Sequence, residues 1–319
     1  MKAIRFHKYG SPDVLRLDEI DTPKPSKGEL LVRMMGSSVN PIDWKLASGA
    51  FRLVMPVRRP AVPGFDLVGE VVELGAGVSG FSLGDRVVAQ LTGKIGGTGG
   101  TAAEFVVAAE EHCVLLPEGV SVESAAVLPL AGMTALQALR DDCGLNPSGD
   151  PRRVLIVGGS GGVGHYAVQL AHYFGAHVTA VCSTSRMEVV RELGADHVID
   201  YTKVTGFASE APYDIIVDCA AVAPWAQFSE VLASGGVLSQ PTASPKWIPR
   251  LLVTNLFTRR RIKATLLKQK AGDLDLLLRL IGEGKLKSLV GASFNYTDLA
   301  SAWSKNQGGG VLGKVAVSY

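Results

Sequence analysis

A glycine-rich segment in the middle of the chain has the composition and spacing of a phosphate-binding loop. Gly159, Gly161 and Gly164 match the pattern GxGxxG, between the apolar run Val154–Val157 and apolar residues at helical spacing. Such glycines leave backbone N–H groups open to a pyrophosphate, and the helix that follows places its positive end there. We therefore predict a dinucleotide site, with a purely structural turn as the alternative. The residues predicted to contact the phosphates are Ser160, Gly161, Gly162 and Val163.

The residues after the next predicted strand bear on which dinucleotide binds. A site for NAD usually has Asp or Glu about 20 residues beyond the glycine loop, where it binds the ribose 2′-hydroxyl. Here that position has Ser183, Thr184 and Arg186, and no carboxylate. Because hydroxyls and a guanidinium bind a 2′-phosphate that a carboxylate would repel, the sequence favours NADPH. The alternative is that Arg186 only begins a surface helix.

The elements that must position these residues follow two patterns. Residues 1 to 125 contain short β-branched segments separated by glycine and proline, and Gly93–Thr101 is predicted to be a loop. From Arg152 to about residue 260, short apolar strands alternate with helical segments, which predicts parallel βαβ units covered on both faces. After residue 261 the pattern is mixed again and ends in a predicted strand, Gly313–Ser318.

Composition excludes several classes of protein. The chain has 319 residues, of which 47% are hydrophobic and 19% charged, enough apolar material for two domains and too much for a disordered chain. Its formal net charge of +2 gives no electrostatic case for binding nucleic acid. No run of about 18 uncharged apolar residues occurs, so we expect no membrane-spanning helix. The first residues have no apolar core, so we expect no secretory signal peptide.

The cysteines and histidines indicate neither a disulfide scaffold nor a metal site. No CxxC pair occurs, and none of the six histidines has a partner at a metal-binding spacing. We expect no metal and a reducing, cytoplasmic setting. The four widely separated cysteines are Cys113, Cys143, Cys182 and Cys219.

Further motifs occur in combination with the glycine loop. They are Val39–Lys45 (VNPIDWK), Pro63–Gly69 (PGFDLVG), Ala125–Leu139 (AAVLPLAGMTALQAL), Leu193–Tyr201 (LGADHVIDY) and Leu276–Lys287 (LLLRLIGEGKLK). Over essentially its whole length the chain resembles the zinc-free, quinone oxidoreductase type of medium-chain dehydrogenase/reductase, and its motifs are especially similar to those of chloroplast envelope and bacterial members.

This resemblance implies an α/β fold with two domains. A GroES-like, β-rich catalytic domain would contain residues 1–125 and 261–319, and a Rossmann domain with a doubly wound parallel sheet would contain residues 126–260. It also implies NADPH-dependent hydride transfer to a quinone or to the C=C bond of an α,β-unsaturated carbonyl compound, and a homodimer. The alternatives are a nucleotide-binding structural or regulatory protein with vestigial activity, and an enoyl reductase of a biosynthetic pathway.

The chain departs from the zinc alcohol dehydrogenases of the same superfamily. Those enzymes have a cysteine where Asn40 stands and His-Glu where Phe65 and Asp66 stand, and their second zinc needs four clustered cysteines. Only Cys113 lies near that region here. We expect both zinc ions to be absent, so that alcohol oxidation through a metal alkoxide is not expected.

The resemblance also implies roles for single residues. Asn40 would lie beside the nicotinamide and donate a hydrogen bond to the substrate carbonyl oxygen, where hydride transfer develops negative charge, or hold the ribose. The alternative is an asparagine that shapes the turn before Pro41. Thr134 would lie near the nicotinamide end of the cofactor, or else bond a backbone carbonyl of its helix.

The other implied contacts are to the cofactor. Tyr201 would approach the 2′-phosphate, unless it is only an exposed strand end. Cys219 and Ala220 would contact the cofactor through their backbone, at the carboxyl edge of the sheet. Gln240, Pro241 and Thr242 would line the nicotinamide pocket. Lys314 would reach the cofactor phosphates, or else be an exposed lysine.

Overall fold

The computed structural model describes residues 1–53, 55–91, 96–97, 99–241, 256 and 258–319. The chain divides into two compact units. The first, here called the GroES-like unit, contains Met1–Leu130, Lys268–Gly284 and Ser288–Tyr319. The second, the Rossmann unit, contains Ala131–Leu267 and Lys285–Lys287.

The bounds of the described strands and helices are as follows. The strands are β1 (Lys2–Phe6), β2 (Leu15–Glu19), β3 (Glu29–Val39), β4 (Arg58–Ala61), β5 (Asp66–Leu74), β6 (Arg86–Gln90), β7 (Gly96–Gly97), β8 (Phe105–Ala109), β9 (Cys113–Leu115), β10 (Arg153–Val157), β11 (His177–Cys182), β12 (His197–Asp200), β13 (Tyr213–Asp218), β14 (Leu232–Gln240), β15 (Arg261–Ala264), β16 (Val290–Asn295) and β17 (Lys314–Ser318). The helices are α1 (Pro41–Ala47), α2 (Val122–Ala126), α3 (Pro129–Gln137), α4 (Gly164–Tyr173), α5 (Met187–Glu192), α6 (Trp225–Val231), α7 (Ala271–Gly282) and α8 (Leu299–Gln307). None of the described helices has the length and apolar character needed to cross a membrane.

The GroES-like unit is built around the long strand β3. Its larger sheet has the order β16-β17-β3-β5-β6-β9, with β8 also paired to β3. A fully buried cluster that includes Leu30, Val32, Leu67 and Val87 packs on this sheet. The strand from the end of the chain, β17, runs antiparallel to β3 with Val315 opposite Val39. This register brings the neighbouring residue Lys314 close to the end of β3.

The Rossmann unit contains a six-stranded parallel sheet with the order β12-β11-β10-β13-β14-β15. Its central strands are almost continuous runs of buried aliphatic residues, as expected of a sheet covered on both faces. The order reverses between β10 and β13, and ligands of such sheets bind at the carboxyl edge of that switch point. The sheet confirms the predicted α/β class with a doubly wound parallel domain.

The structure gives different domain limits from those predicted. Residues 261–264 form β15, which pairs in parallel with β14, so the Rossmann unit continues to Leu267 rather than ending at residue 260. At the other limit, Ala126 to Leu130 cluster with the GroES-like unit rather than with the Rossmann unit. Helical and strand periodicity in the sequence do not report which sheet an element joins.

Candidate functional site

The glycine loop follows β10 and leads into α4. Gly158 has a φ of +80°, and a Cβ atom on it would lie 3.2 Å from Cβ of Ala220, so a side chain there is strained. A Cβ atom on Gly164 would lie 2.0 Å from the carbonyl oxygen of Gly158. A Cβ on Gly161 would meet nothing closer than 3.4 Å. Glycine is therefore required most strongly at positions 158 and 164, where the strand, the loop and the helix approach one another closely.

The loop presents unpaired hydrogen-bond donors. Among the described residues, no partner is recorded for the backbone N–H groups of Ser160, Gly162 and Val163. Val163 is the N-cap of α4, a helix of ten residues, and its side chain makes no capping hydrogen bond. Free N–H groups at the amino end of a helix are the donors that a pyrophosphate needs.

The residues that follow β11 lie beside the carboxylate of Asp200, which was not predicted from the sequence. The Thr184 hydroxyl donates to Oδ2 of Asp200, and the Thr202 hydroxyl donates to Oδ1 at 2.7 Å. These hydrogen bonds, that of Thr184 first, lower the pKa of Asp200 below its ordinary value. The Lys203 ammonium lies 3.8 Å from the same carboxylate and partly offsets its charge. Thr184 is therefore already engaged, while Ser183 and Arg186 are half-buried and Tyr201 is exposed.

The ends of β13 and β14 are joined by a buried carboxylate. Oδ1 of Asp218 accepts from the backbone N–H groups of Ala220 and Ala221, and Oδ2 accepts from Nε2 of Gln240 at 3.0 Å. The other amide atom of Gln240, Oε1, is buried without a hydrogen-bond partner among the described residues. An unpaired buried oxygen costs free energy, and a donor on a ligand would remove that cost.

The remaining predicted residues of the Rossmann unit lie near these strand ends or on α3. The backbone N–H of Cys219 donates to the carbonyl of Val157 at 3.0 Å, and burial raises the pKa of the Cys219 thiol, so the thiol is a poor nucleophile. Thr134 is buried within α3. Pro241 follows β14 and is half-buried, whereas Thr242 and residues 93–95 and 98 of the predicted loop lie outside the described residues.

In the GroES-like unit, Asn40 belongs to a buried group of polar side chains. We call Ser38, Asn40, Asp43, Asp66 and Lys314 the Asn40 cluster; each is at most 3% exposed. Asn40 follows β3 and is the N-cap of α1. Its Nδ2 donates to Oδ2 of Asp66 at 2.7 Å, and its Oδ1 accepts from Nζ of Lys314 at 2.5 Å. The side chain is held at both ends.

Lys314 is buried rather than exposed. Its ammonium also donates to the carbonyl of Val39 at 3.0 Å and lies 3.8 Å from Oδ2 of Asp66. Burial lowers the pKa of Lys314, and Asp66 and Asp43 act in the opposite direction. The alternative of an exposed lysine is therefore wrong, because the ammonium is enclosed by groups of its own unit. The contact of Lys314 with cofactor phosphates stays a prediction.

The carboxylate of Asp43 is buried, and only one of its two oxygens has a hydrogen-bond partner among the described residues. Its Oδ2 accepts from the backbone N–H of Asn40 at 2.7 Å, while its Oδ1 is buried without a partner among the described residues. Burial raises the pKa of Asp43 to about 8. Removal of the carboxylate from water is the main cause, and the negative charge of Asp66 adds to it.

The Asn40 cluster does not fit the catalytic zinc of the superfamily. Asp66 accepts from Ser38, from Asn40 and, at 2.8 Å, from the backbone N–H of Leu130. Of the residues at the zinc-ligand positions, Phe65 has no ligand atom and Asp66 has the only carboxylate. A zinc ion bound to Asp66 would lie beside the positive charge of the Lys314 ammonium. Zinc sites take at least three protein ligands from thiolate, imidazole and carboxylate groups, and here these positions offer a single carboxylate. These residues instead satisfy one another by hydrogen bonds.

Three buried or strand-end carboxylates were not predicted from the sequence. Asp200 and Asp218 are the last residues of β12 and β13, and an acid that closes a parallel strand is a signal that could have been used. Asp66 begins β5, and the three groups that donate hydrogen bonds to it lie 26, 28 and 64 residues away in the sequence. That separation leaves no local signal.

Comparison with known proteins identifies both parts of the chain. Residues 26–118 match the alcohol dehydrogenase GroES-like domain, and residues 193–317 match the zinc-binding dehydrogenase domain. The chloroplast envelope quinone oxidoreductase homolog of Arabidopsis thaliana is 38% identical over 325 residues, covering 99% of this chain and 98% of that protein. The NADPH-dependent alkenal/one oxidoreductase of the same plant is 33% identical, covering 99% of this chain and 79% of that protein.

A solved structure agrees with these sequence relatives. The quinone oxidoreductase from Coxiella burnetii superposes with a TM-score of 0.89 at 29% identity, covering 100% of this chain and 99% of that one. The fold of the whole chain is thus shared with a solved quinone oxidoreductase. The predicted family is confirmed: the chain belongs to the quinone oxidoreductase type of medium-chain dehydrogenases/reductases and is an oxidoreductase.

Proposed function

We propose that this protein is an NADPH-dependent reductase that transfers hydride to a quinone or to the C=C bond of an α,β-unsaturated carbonyl compound, without zinc. The observation that carries the proposal is the glycine loop at the amino end of α4, where the N–H groups of Ser160, Gly162 and Val163 have no partner among the described residues. The names of the relatives, which include quinone and alkenal/one oxidoreductases, support the substrate class.

The adenosine end of NADPH would be held at the carboxyl ends of β11 and β12. Ser183, Arg186 and Tyr201 are the proposed contacts of the 2′-phosphate, whereas the Thr184 hydroxyl donates to Asp200. The ionised Asp200 opposes a phosphate at this place, and Arg186 is proposed to add to the compensating charge of Lys203. NADPH dependence therefore rests on Arg186 more than the sequence alone indicated.

The nicotinamide end would lie at the ends of β13 and β14. Gln240 offers its unpaired Oε1 as an acceptor, and Asp218 fixes the amide that carries it. Thr134, Cys219, Ala220 and Pro241 are the proposed neighbours. NADPH when bound supplies the hydride; the residues of this chain bind it, orient it and keep the Cys219 thiol protonated.

Asn40 is the proposed donor to the substrate oxygen. Oδ1 and one Nδ2 hydrogen are engaged by Lys314 and Asp66, which leaves the second Nδ2 hydrogen for a substrate. A rigid donor aimed at developing negative charge lowers the barrier to hydride transfer, and a proton from water would complete the reduction. Lys314 and Asp66 are proposed as positioning residues that fix the orientation of this amide.

The test is turnover of a panel of enones, alkenals and quinones, followed by NADPH absorbance. We expect turnover that survives chelator treatment, and no zinc bound by the Asn40 cluster. NADPH binding without turnover of any compound would favour the structural or regulatory alternative. Turnover lost with the chelator and restored by zinc would contradict the zinc-free mechanism.

The role of Asn40 is tested separately with Asn40→Ala. Loss of one such donor costs on the order of 2.7–4 kcal/mol in well-studied sites, and we expect less because the charge is delocalised over an enolate or quinol. We expect kcat to fall while the affinity for NADPH changes little. A folded variant with unchanged kcat would reduce Asn40 to the cap of α1.

The resemblance also supports a homodimer in the cytoplasm. All four cysteines are free, as in proteins of reducing compartments, although relatives named above are chloroplastic. Light scattering of the purified chain tests the dimer, and cell fractionation tests the compartment. A monomer, or recovery from an oxidising compartment, would contradict these proposals.

A further inference from the structure

Two histidines that are 20 residues apart in the sequence lie side by side on the Rossmann sheet. His177 is the first residue of β11, and His197 is the first residue of β12. Thr179 is paired with His197 in the parallel register, and His177 lies on the same face as Thr179 because side chains alternate along a strand. The two imidazole rings are 6.0 Å apart between centroids and meet edge to face.

Glu210 completes a group with metal-ligand chemistry. One ring nitrogen of each histidine and one carboxylate oxygen of Glu210 all lie within 4.8 Å of one another. Nε2 of His197 is 3.3 Å from Oε1 of Glu210. Two ligand atoms on one tetrahedral zinc ion are about 3.4 Å apart, since each lies about 2.1 Å from the metal. This pair already has the spacing of two ligands on one ion.

Neighbouring charged groups support the arrangement. Oδ2 of Asp196 lies 3.3 Å from Nδ1 of His177, and a carboxylate behind a metal-bound imidazole commonly fixes the orientation of the ring. The Arg153 guanidinium lies 3.6 Å from Oε2 of Glu210, the oxygen that does not face His197. Arg153 therefore holds the carboxylate in place and leaves Oε1 directed at His197.

The group is accessible and separate from the cofactor site. The side chains of His177 and His197 are 42% and 48% exposed, so an ion can reach them from solvent. They stand at the amino ends of β11 and β12, whereas the glycine loop and Ser183 follow the carboxyl ends of their strands. An ion here would not contact the reacting atoms.

We propose that His177, His197 and Glu210 bind a divalent transition-metal ion, zinc being the expected one, with Asp196 as the residue that positions His177. Imidazole with one carboxylate is a donor set that zinc accepts readily. The ion would join the starts of two adjacent strands to the segment that precedes β13. The sequence predicted no metal because the two histidines follow no recognised ligand spacing.

The test is calorimetric titration of zinc chloride into the full chain, purified without a histidine tag and stripped with a chelator. We expect one zinc ion per chain in the wild type and at least about tenfold weaker binding in His177→Ala and His197→Ala. The matched control is His112→Ala, because His112 also lies near a carboxylate, Glu111 at 3.6 Å, but belongs to no group of three possible metal ligands among the described residues. This control should bind zinc like the wild type.

A second measurement does not depend on calorimetry. Zinc should raise the Tm of the wild type and of His112→Ala but not that of His197→Ala, since only a folded site can bind the ion. Equal zinc affinity in the wild type and His197→Ala, or an equal loss in His112→Ala, would overturn the proposal. NADPH binding by His197→Ala should match the wild type, so this result stands apart from the proposed reductase activity.

Discussion

The carboxyl edge of the Rossmann sheet and the Asn40 cluster are both polar, but they are organised in opposite ways. At the sheet edge, the N–H groups of Ser160, Gly162 and Val163 and the Oε1 atom of Gln240 lack partners among the described residues. In the cluster, Asp66 accepts three hydrogen bonds, and the Lys314 ammonium has two acceptors with a carboxylate nearby. The described polar groups of the sheet edge are available to a ligand. The hydrogen-bonding groups of the Asn40 cluster are satisfied largely by other groups of the protein.

The largest expected effect is the difference in lost free energy of unfolding between replacing a buried lysine and replacing an exposed one. Lys314 and Lys203 each lie 3.8 Å from an aspartate, but their side chains are 4% and 66% exposed. Lys314→Met leaves Asp66 buried without its cation and should lower the free energy of unfolding by about 3–5 kcal/mol. Lys203→Met should change it by at most about 1 kcal/mol, since it removes an exposed pair. Denaturant unfolding measures both, and equal losses would contradict the contrast.

The next largest effect concerns NADPH binding at the carboxyl edge of the Rossmann sheet. Arg186→Ala removes the guanidinium proposed to bind the 2′-phosphate and should weaken NADPH binding by about 1.5–3 kcal/mol. Binding of NADH, which has no 2′-phosphate, should change little. Fluorescence titration with both cofactors measures this, with Arg191→Ala on the neighbouring helix as the control. Equal losses for NADPH and NADH would show that Arg186 does not contact the 2′-phosphate.

A smaller effect distinguishes two glycines of the same loop. Gly164→Ala would place a methyl group 2.0 Å from the carbonyl oxygen of Gly158, so the backbone must shift. We expect a cost of about 1–3 kcal/mol in stability, together with weaker NADPH binding. Gly161→Ala meets only an ordinary contact at 3.4 Å within the protein and should leave the stability unchanged. Equal losses of stability in the two variants would show that the close packing of loop and helix is not what requires Gly164.

The last prediction is a pH dependence of the cluster. The pKa of Asp43 rises from 3.8 to about 8 on folding, so between these values the native state holds a proton that the unfolded chain has released. The stabilising contribution of Asp43 is therefore lost as the pH rises through this range. Relative to Asp43→Asn, the wild type should lose free energy of unfolding with rising pH. Parallel pH profiles for the two proteins would show that Asp43 does not titrate in this way.

The same contrast explains what the sequence could predict. The glycine loop and its strand and helix are contiguous, so spacing and periodicity are enough to find them. The Asn40–Lys314 hydrogen bond spans 274 positions and depends on the pairing of β17 with β3, which no local pattern encodes. The hydrogen bond from Thr184 to Asp200 and the contact between the rings of His177 and His197 likewise arise only when neighbouring strands align.

The position of β17 next to β3 has a consequence for how the chain acquires its structure during synthesis. All six strands of the Rossmann sheet lie between residues 153 and 264, so they are available before the last strand leaves the ribosome. The GroES-like unit has its early strands in place first, yet β3 lacks one neighbour and Asp66 lacks its ammonium until residues 314–318 emerge. We therefore expect the GroES-like unit, although its first strands are synthesised earlier, to complete its fold after the Rossmann unit.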